Sequence, residues 1–150
     1  MKIALDSNVL VYAEGVDTPA KQDAANRLLD RARRAQLVVP AQVLGETFNV
    51  LVRKRRLTQP EARARVLAWA GLCEVVGTSS QALFTAFDLA AERRLQIWDA
   101  VILAVAAETG CDLLLSEDLQ DGFVWRGVTV ANPFKDELHP LLADVLEARS

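Results

Sequence analysis

The chain of 150 residues contains one histidine and two cysteines. A lone histidine, His139, removes zinc sites built on histidine pairs and leaves any Ser-His-Asp triad dependent on one unsupported candidate. The cysteines, Cys73 and Cys111, form neither a close pair nor a metal-ligand spacing, so they read as reduced, packed thiols. No uninterrupted apolar stretch reaches the roughly 18 to 20 residues that a membrane-spanning helix requires. The first residues lead straight into a strand-like run instead of a signal peptide, and the expected location is the cytoplasm. Internal repeats and low-complexity segments are missing too. What is there is an apolar share of 51%, in a chain long enough for one domain with a substantial core.

The net charge of −3 conceals an uneven distribution. Residues 21–65 hold 11 of the 17 basic residues against four acids, whereas residues 66–150 hold five against 13 acids. The densest run is Arg53-Lys54-Arg55-Arg56, with Arg31, Arg33 and Arg34 upstream. It admits two readings: solvated helix ends, where cations complement the C-terminal dipole, or contacts to a phosphate backbone.

Short apolar runs alternate with helical periodicity along the chain. Lys2 to Leu5 reads as a strand ending at Asp6, and Asn8 to Ala13 as the first turns of a helix. Thr18 caps a helix that opens at Pro19 and carries apolar residues at helical spacing to Arg34. Gln36 to Val39 is a second strand closed by Pro40, followed by a helix from Ala41 to about Arg55. Thr58 with Glu61 is a capping-box signal for a helix ending near Gly71. Cys73 to Val76 gives a third strand, and Ser79 or Ser80 caps a helix to about Arg94. Ile97 to Glu108 is apolar nearly all round, as a helix buried in the middle of a fold would be. Leu113 to Leu115 and Val128 to Val130 are further strands. This alternation predicts a parallel, doubly wound α/β sheet.

Four acids stand at loaded positions in that pattern. Asp6 follows the first strand, Glu46 shares a helical stripe with Val43, Thr47 and Val50 and is expected to point inward, Asp99 opens the buried helix, and Asp118 follows Leu113 to Leu115. In open α/β sheets ligands gather outside the carboxyl ends of the strands, which is where Asp6 and Asp118 fall. An isolated carboxylate in apolar surroundings is costly unless a cation or a set of donors compensates it. Hard oxygen ligands without obvious Lys or Arg partners suit Mg2+ or Mn2+ and a substrate phosphate. Such a site needs no protein nucleophile, in a chain that shows no convincing Ser, Cys or His constellation. The plain alternatives are a helix cap for Asp6, a first-turn charge for Asp99, a turn residue for Asp118 and a surface position for Glu46.

Leu5-Asp6-Ser7-Asn8-Val9-Leu10 resembles the opening motif of PIN domains, and Glu46 stands in the helix expected of them. Trp98-Asp99-Ala100-Val101-Ile102-Leu103-Ala104 resembles their third acidic motif. Leu114 to Gly122, followed by Asn132-Pro133-Phe134, is similar to the C-terminal half of VapC-type toxins. The resemblance runs from Lys2 to Phe134. It implies a single PIN domain over 1–150, a three-layer α/β/α sandwich with a mostly parallel sheet of roughly four to five strands. It also implies a Mg2+- or Mn2+-dependent endoribonuclease, the toxin of a toxin-antitoxin pair, generally a homodimer bound by a small VapB-like antitoxin, with DNA reached only through that antitoxin. The family's acidic positions carry over to Asp6, Glu46, Asp99 and Asp118. Asn8 and Ser116 match polar positions that orient metal or phosphate, and each is equally open to a cap or turn role. Of the adjacent acids Glu117 and Asp118, an extended segment would turn one into the site; Asp118 matches the family's final acid, and Glu117 and Asp121 stay unassigned. Trp98, and Phe123 with Trp125, read as core or dimer-interface residues or as stacking platforms for RNA bases.

Two rival readings remain. A phosphoryl-transfer protein of haloacid dehalogenase or receiver type also puts an Asp after its first strand. The dehalogenase type needs a second Asp two residues on, where this chain has Asn8; a receiver needs an acid pair at that strand and a Lys beyond the fifth, and Lys2 and Lys135 are poorly placed. A catalytically idle PIN domain serving as an RNA- or protein-binding module would be favoured by loss of an acid, and all four are present.

Overall fold

The structure is a computed structural model describing residues 1–148. Lys2–Leu5 (β1), Gln36–Pro40 (β2) and Leu113–Leu115 (β4) are apolar runs buried where they meet, and Glu74–Val76 (β3), Val124–Trp125 (β5) and Val128–Ala131 (β6) complete the sheet. Their spatial order is β3-β2-β1-β4-β6-β5. Every pairing is parallel except that of β5 with β6.

The sheet therefore has six strands, not four or five. The addition is β5, joined to β6 through Arg126 and Gly127, both at positive φ (46° and 82°). Two left-handed residues in a two-residue hairpin loop match the right-handed twist of the strands they join. Arg-Gly lacks the Asn-Gly signature of such turns, and a two-residue strand carries no alternation to read.

Ser7–Ala13 (α1), Pro19–Arg31 (α2), Ala41–Arg53 (α3) and Gln59–Leu72 (α4) link β1 to β2 to β3, whereas Ser80–Arg93 (α5) and Ile97–Glu108 (α6) carry the chain back to β4. Right-handed crossovers in opposite directions place the first four helices on one face and α5 with α6 on the other. The packing agrees: α1 lies on α2 and α3, α3 on α4, α5 on α6, and α6 spans β2, β4 and β6. A three-layer α/β/α sandwich results, as the family resemblance implies, around the largely parallel, doubly wound sheet that the sequence pattern predicts.

Local signals explain most boundaries. The Thr58 hydroxyl accepts from the Glu61 backbone while the Glu61 carboxylate accepts from the Thr58 backbone, a reciprocal cap for α4. Gly71 does not stop that helix, which runs one residue further; with open space around it, the glycine is simply accommodated. The α2 helix tightens after Arg31 into a 3-10 turn at Ala32–Arg34, and α3 ends at Arg53. A short helix, Pro140–Glu147 (α7), has no counterpart in the sequence reading; its cap is the His139 ring, whose Nδ1 accepts from the Leu141 backbone at 3.2 Å. Leu142 fixes it to the core.

Residues Ala100 to Ala106 are all buried, together with Ile3, Leu5, Leu10 and the three leucines of β4. Cys111 lies within this core, where burial pushes its thiol up to about 11, and Cys73 is half-buried; both are free thiols. Among the described residues, no helix is long and apolar enough to cross a membrane.

Candidate active site

The parallel register of β1 with β4 sets Ile3, Ala4 and Leu5 beside Leu113, Leu114 and Leu115. The next residue on each strand, Asp6 and Ser116, therefore emerges at one carboxyl edge. The Asp6 backbone donates to Leu115 O at 3.0 Å, and the Ser116 backbone to Ala131 O at 3.1 Å. Asp6 is also the cap of α1, its Oδ1 accepting from the Ser7 backbone at 2.7 Å. Its Oδ2 accepts from the fully buried Ser116 hydroxyl at 2.7 Å.

Asn8 joins the two strand ends. Its Nδ2 lies 3.5 Å from Asp6 Oδ2, 3.4 Å from Ser116 Oγ and 3.3 Å from Asp118 Oδ2, while its Oδ1 accepts from the Glu117 backbone at 3.4 Å. That last bond fixes which end of the amide faces the acids. The Ser116 hydroxyl also accepts from the Asp118 backbone at 3.1 Å. Asn8 and Ser116 thus act on Asp6 and Asp118 as well as on local turns. Glu117 points the other way, taking the Tyr12 hydroxyl and Lys21, so the alternation expected along residues 116–118 is present. Asp121 binds the Asn132 backbone at 2.7 Å and Lys135 at 3.4 Å, a staple of the closing loop.

Glu46 and Asp99 approach from opposite layers. Glu46 does not point fully inward: the buried stripe of α3 is Val43, Thr47 and Leu51, and Glu46 is half-buried at its margin. Its Oε1 accepts from Gln42 Nε2 at 2.7 Å. Gln42 escaped the sequence reading, although a Gln four residues before a Glu on a helix is a recognisable pair. Asp99 is half-buried in the first turn of α6, where Gln96 caps its backbone at 3.2 Å. Asp118 is exposed, whereas Asp6 is 2% exposed.

Electrostatics links the four. Burial, more than any neighbour, pushes the Asp6 carboxyl up to about 6; the Ser116 and Ser7 hydrogen bonds oppose this, and the charges of Asp118 and Glu46 add to it. Burial likewise raises Asp99, reinforced by the same two charges. Among the described residues, none of the four acids has a Lys or Arg within ion-pair distance. This uncompensated, all-oxygen set has the chemistry that a hard divalent cation takes, and Asp6 and Asp118, flanking the Asn8 amide, are the acids that could hold one there. Among the described residues, no three His, Cys, Asp or Glu side chains form a ready-made cage. A site that binds through one or two carboxylates, leaving positions for water and phosphate, fits Mg2+ chemistry.

The aromatic residues divide. Phe123 and Trp125 are partly buried against the core, with Arg93 over the first ring and Arg126 over the second, whereas Trp98 is 53% exposed. Trp98 is therefore no core residue.

A family model of the PIN domain matches residues 3–121. The chain belongs to the PIN domain family. This PIN domain is 31% identical over 126 residues to Ribonuclease VapC7 of Mycobacterium tuberculosis, covering 77% of this chain and 81% of that protein. In fold it is similar to M. tuberculosis VapC20, a Sarcin-Ricin loop cleaving toxin (TM-score 0.61, 21% identity, 75% of this chain and 86% of that one). It is also similar to a toxin-antitoxin complex from Klebsiella pneumoniae (TM-score 0.66, 18% identity, 89% and 98%). A third likeness is VapBC2 of Rickettsia felis bound to a DNA fragment from its promoter (TM-score 0.64, 16% identity, 87% and 97%).

Proposed function

We propose that this PIN domain is a Mg2+- or Mn2+-dependent endoribonuclease, the toxin of a toxin-antitoxin pair acting in the cytoplasm. The observation carrying this reading is the meeting of Asp6 and Asp118 at one Asn8 amide, with the charges of Asp118 and Glu46 close enough to raise both Asp6 and Asp99 and, among the described residues, no Lys or Arg within ion-pair distance to neutralise them. The ribonuclease relative and the toxin-antitoxin structures support it.

In this reading Asp6, Asp118, Glu46 and Asp99 hold the cation, directly or through water. When bound, the cation supplies Lewis acidity at the scissile phosphate and acidifies a water. Asn8 and Ser116 keep the Asp6 and Asp118 oxygens turned toward the open edge. Ser116 is no nucleophile, because its hydroxyl is fully buried and donates to Asp6. RNA is the substrate, and the exposed Arg53 to Arg56 run is a surface for its phosphates. A VapB-like antitoxin is the expected partner, with DNA bound only through it. Phe84 and Phe87, one turn apart on α5 and 59% and 50% exposed, support a covered homodimer face.

Among the described residues no ready-made cage forms, which favours one competitor, a PIN domain retained for binding alone. Cleavage of RNA by the purified chain separates them. Mg2+ or Mn2+ should switch cleavage on and a chelator should abolish it, with Asp6→Asn and Asp99→Asn inactive yet folded. Cleavage that survives in both variants removes the assigned site, and no metal-dependent cleavage of any RNA leaves the binding module.

A further inference from the structure

We propose that Tyr12 and Lys21 are positioning residues for the acidic site, acting on it through Glu117 and Asn8. The inference rests on the metal-nuclease reading and deepens it.

Tyr12 lies one turn after Asn8 on α1, so both side chains leave the same helix face. Its hydroxyl donates to Glu117 Oε1 and accepts from Lys21 Nζ at 3.3 Å. Lys21 Nζ also pairs with Asp17 at 3.3 Å and with Glu117 Oε2 at 3.7 Å, and it stands 4.5 Å over the Tyr12 ring. The edge of Phe134 braces that ring, with centroids 5.0 Å apart. Both Glu117 oxygens are thereby engaged on the side of α1 and α2.

The consequence reaches the site through the backbone. With its side chain held outward, Glu117 turns its N–H onto Asn8 Oδ1, and this leaves Asn8 Nδ2 for Asp6, Ser116 and Asp118. Released, Glu117 would be a free carboxylate one residue from Asp118, and the Asn8 amide would be without the donor that orients it. Partners that orient metal-binding side chains commonly matter to affinity and rate although they touch neither metal nor substrate.

The test uses the full chain. Tyr12→Phe deletes only the hydroxyl and keeps the ring against Phe134; Lys21→Met keeps the stem and deletes the charge. Mn2+ affinity by electron paramagnetic resonance, Tm without metal, and kcat and KM on RNA are measured for each. Both variants should lose about tenfold in Mn2+ affinity and in kcat, with KM within about twofold and Tm unchanged. Unaltered Mn2+ affinity and kcat overturn the proposal, and so does a loss confined to KM, which would make Lys21 a substrate contact. A loss that follows Tm alone reduces the network to a surface staple. Should Tyr12→Phe fail to fold, Lys21→Met decides by the same readouts. Wild-type protein that takes up no Mn2+ overturns the metal reading and this inference together, whereas normal wild-type uptake with unaltered variants overturns this inference alone.

Discussion

Asn8 and Asp118, 110 residues apart in the chain, meet at 3.3 Å, the Asn8 amide donating to Asp118 Oδ2. The same nitrogen faces Asp6 Oδ2 at 3.5 Å. One neutral donor thus separates two acids that would otherwise repel across a partly buried edge. Asn8→Asp should replace that donor with a third negative charge and destabilise the metal-free protein by about 1 to 3 kcal/mol. Urea unfolding measures this, and saturating Mn2+ should restore part of the loss, since ligand binding to the folded state alone adds stability. Equal stability of the metal-free variant and wild type would mean that Asp6 and Asp118 do not share one electrostatic site.

Asp6 is itself a stability liability in the metal-free state. Its carboxyl is raised from 3.8 to about 6, chiefly by burial. A folded value above the unfolded one means that the folded chain binds this proton more tightly. The group therefore opposes folding fully above about pH 6, and its opposition fades as pH falls toward 3.8. The gap corresponds to about 3 kcal/mol at neutral pH, part of which Asn would forfeit through a poorer bond to Ser116. Asp6→Asn should then stabilise the metal-free protein by about 1 to 2 kcal/mol at pH 7.5 and by almost nothing near pH 4. The inactive variant should be the sturdier one. Denaturant midpoints at the two pH values decide it, and a variant weaker than wild type at both would show that the Asp6 hydrogen bonds outweigh its burial.

These effects explain which parts of the structure are legible in the sequence. Asp6, Asp99 and Asp118 stand out because each interrupts an apolar run at a strand or helix boundary, and parallel pairing then sets Asp6 beside Ser116. The turn of Glu117 away from Asp118 follows from simple alternation. Glu46 is harder: a stripe of Val43, Thr47 and Leu51 and one of Val43, Glu46 and Val50 differ by less than a residue's arc on a helix, and only packing decides between them. The β5 strand and the α7 helix escape a sequence reading because they are held by tertiary contacts, the left-handed Arg126-Gly127 turn and the buried Leu142, and not by any local period. The Tyr12, Lys21 and Glu117 cluster joins separate segments and leaves no trace in spacing.

Salt should separate the two readings of the basic run. Arg53, Lys54, Arg55 and Arg56 are all exposed at the end of α3, and among the described residues none of them has an acid within ion-pair distance. If they meet phosphates, replacing Arg53 and Arg55 with Gln should weaken RNA binding strongly at low salt and little at high salt. The slope of log affinity against log salt should shrink by about 0.7 for each phosphate of single-stranded RNA that is no longer neutralised. Fluorescence anisotropy with the inactive Asp99→Asn chain reads this without cleavage. A slope unchanged by the substitutions would assign the run to solvated surface.

One polar clamp ties α4 to the end of α1. Ala62 is its only buried residue, and much of its surface, Leu67 and Leu72 included, is exposed. The Arg65 guanidinium grips Glu14 at the end of α1 with Nε at 2.9 and 3.1 Å and Nη2 at 2.7 Å, and Trp69 Nε1 donates to the same carboxylate at 2.8 Å. Glu14 is 7% exposed, so removing Arg65 leaves a buried charge with one remaining donor. Arg65→Met should cost about 1 to 3 kcal/mol, less than a fully buried pair because Arg65 itself is largely exposed. Glu14→Gln should cost less than Arg65→Met, since a neutral amide still accepts from Trp69 and buries no unpaired charge. Hydrogen exchange should place the loss in α4, with the amides of β1 and β4 still protected. If the core strands of Arg65→Met exchanged as fast as α4, the clamp would be holding the whole domain and not a single helix.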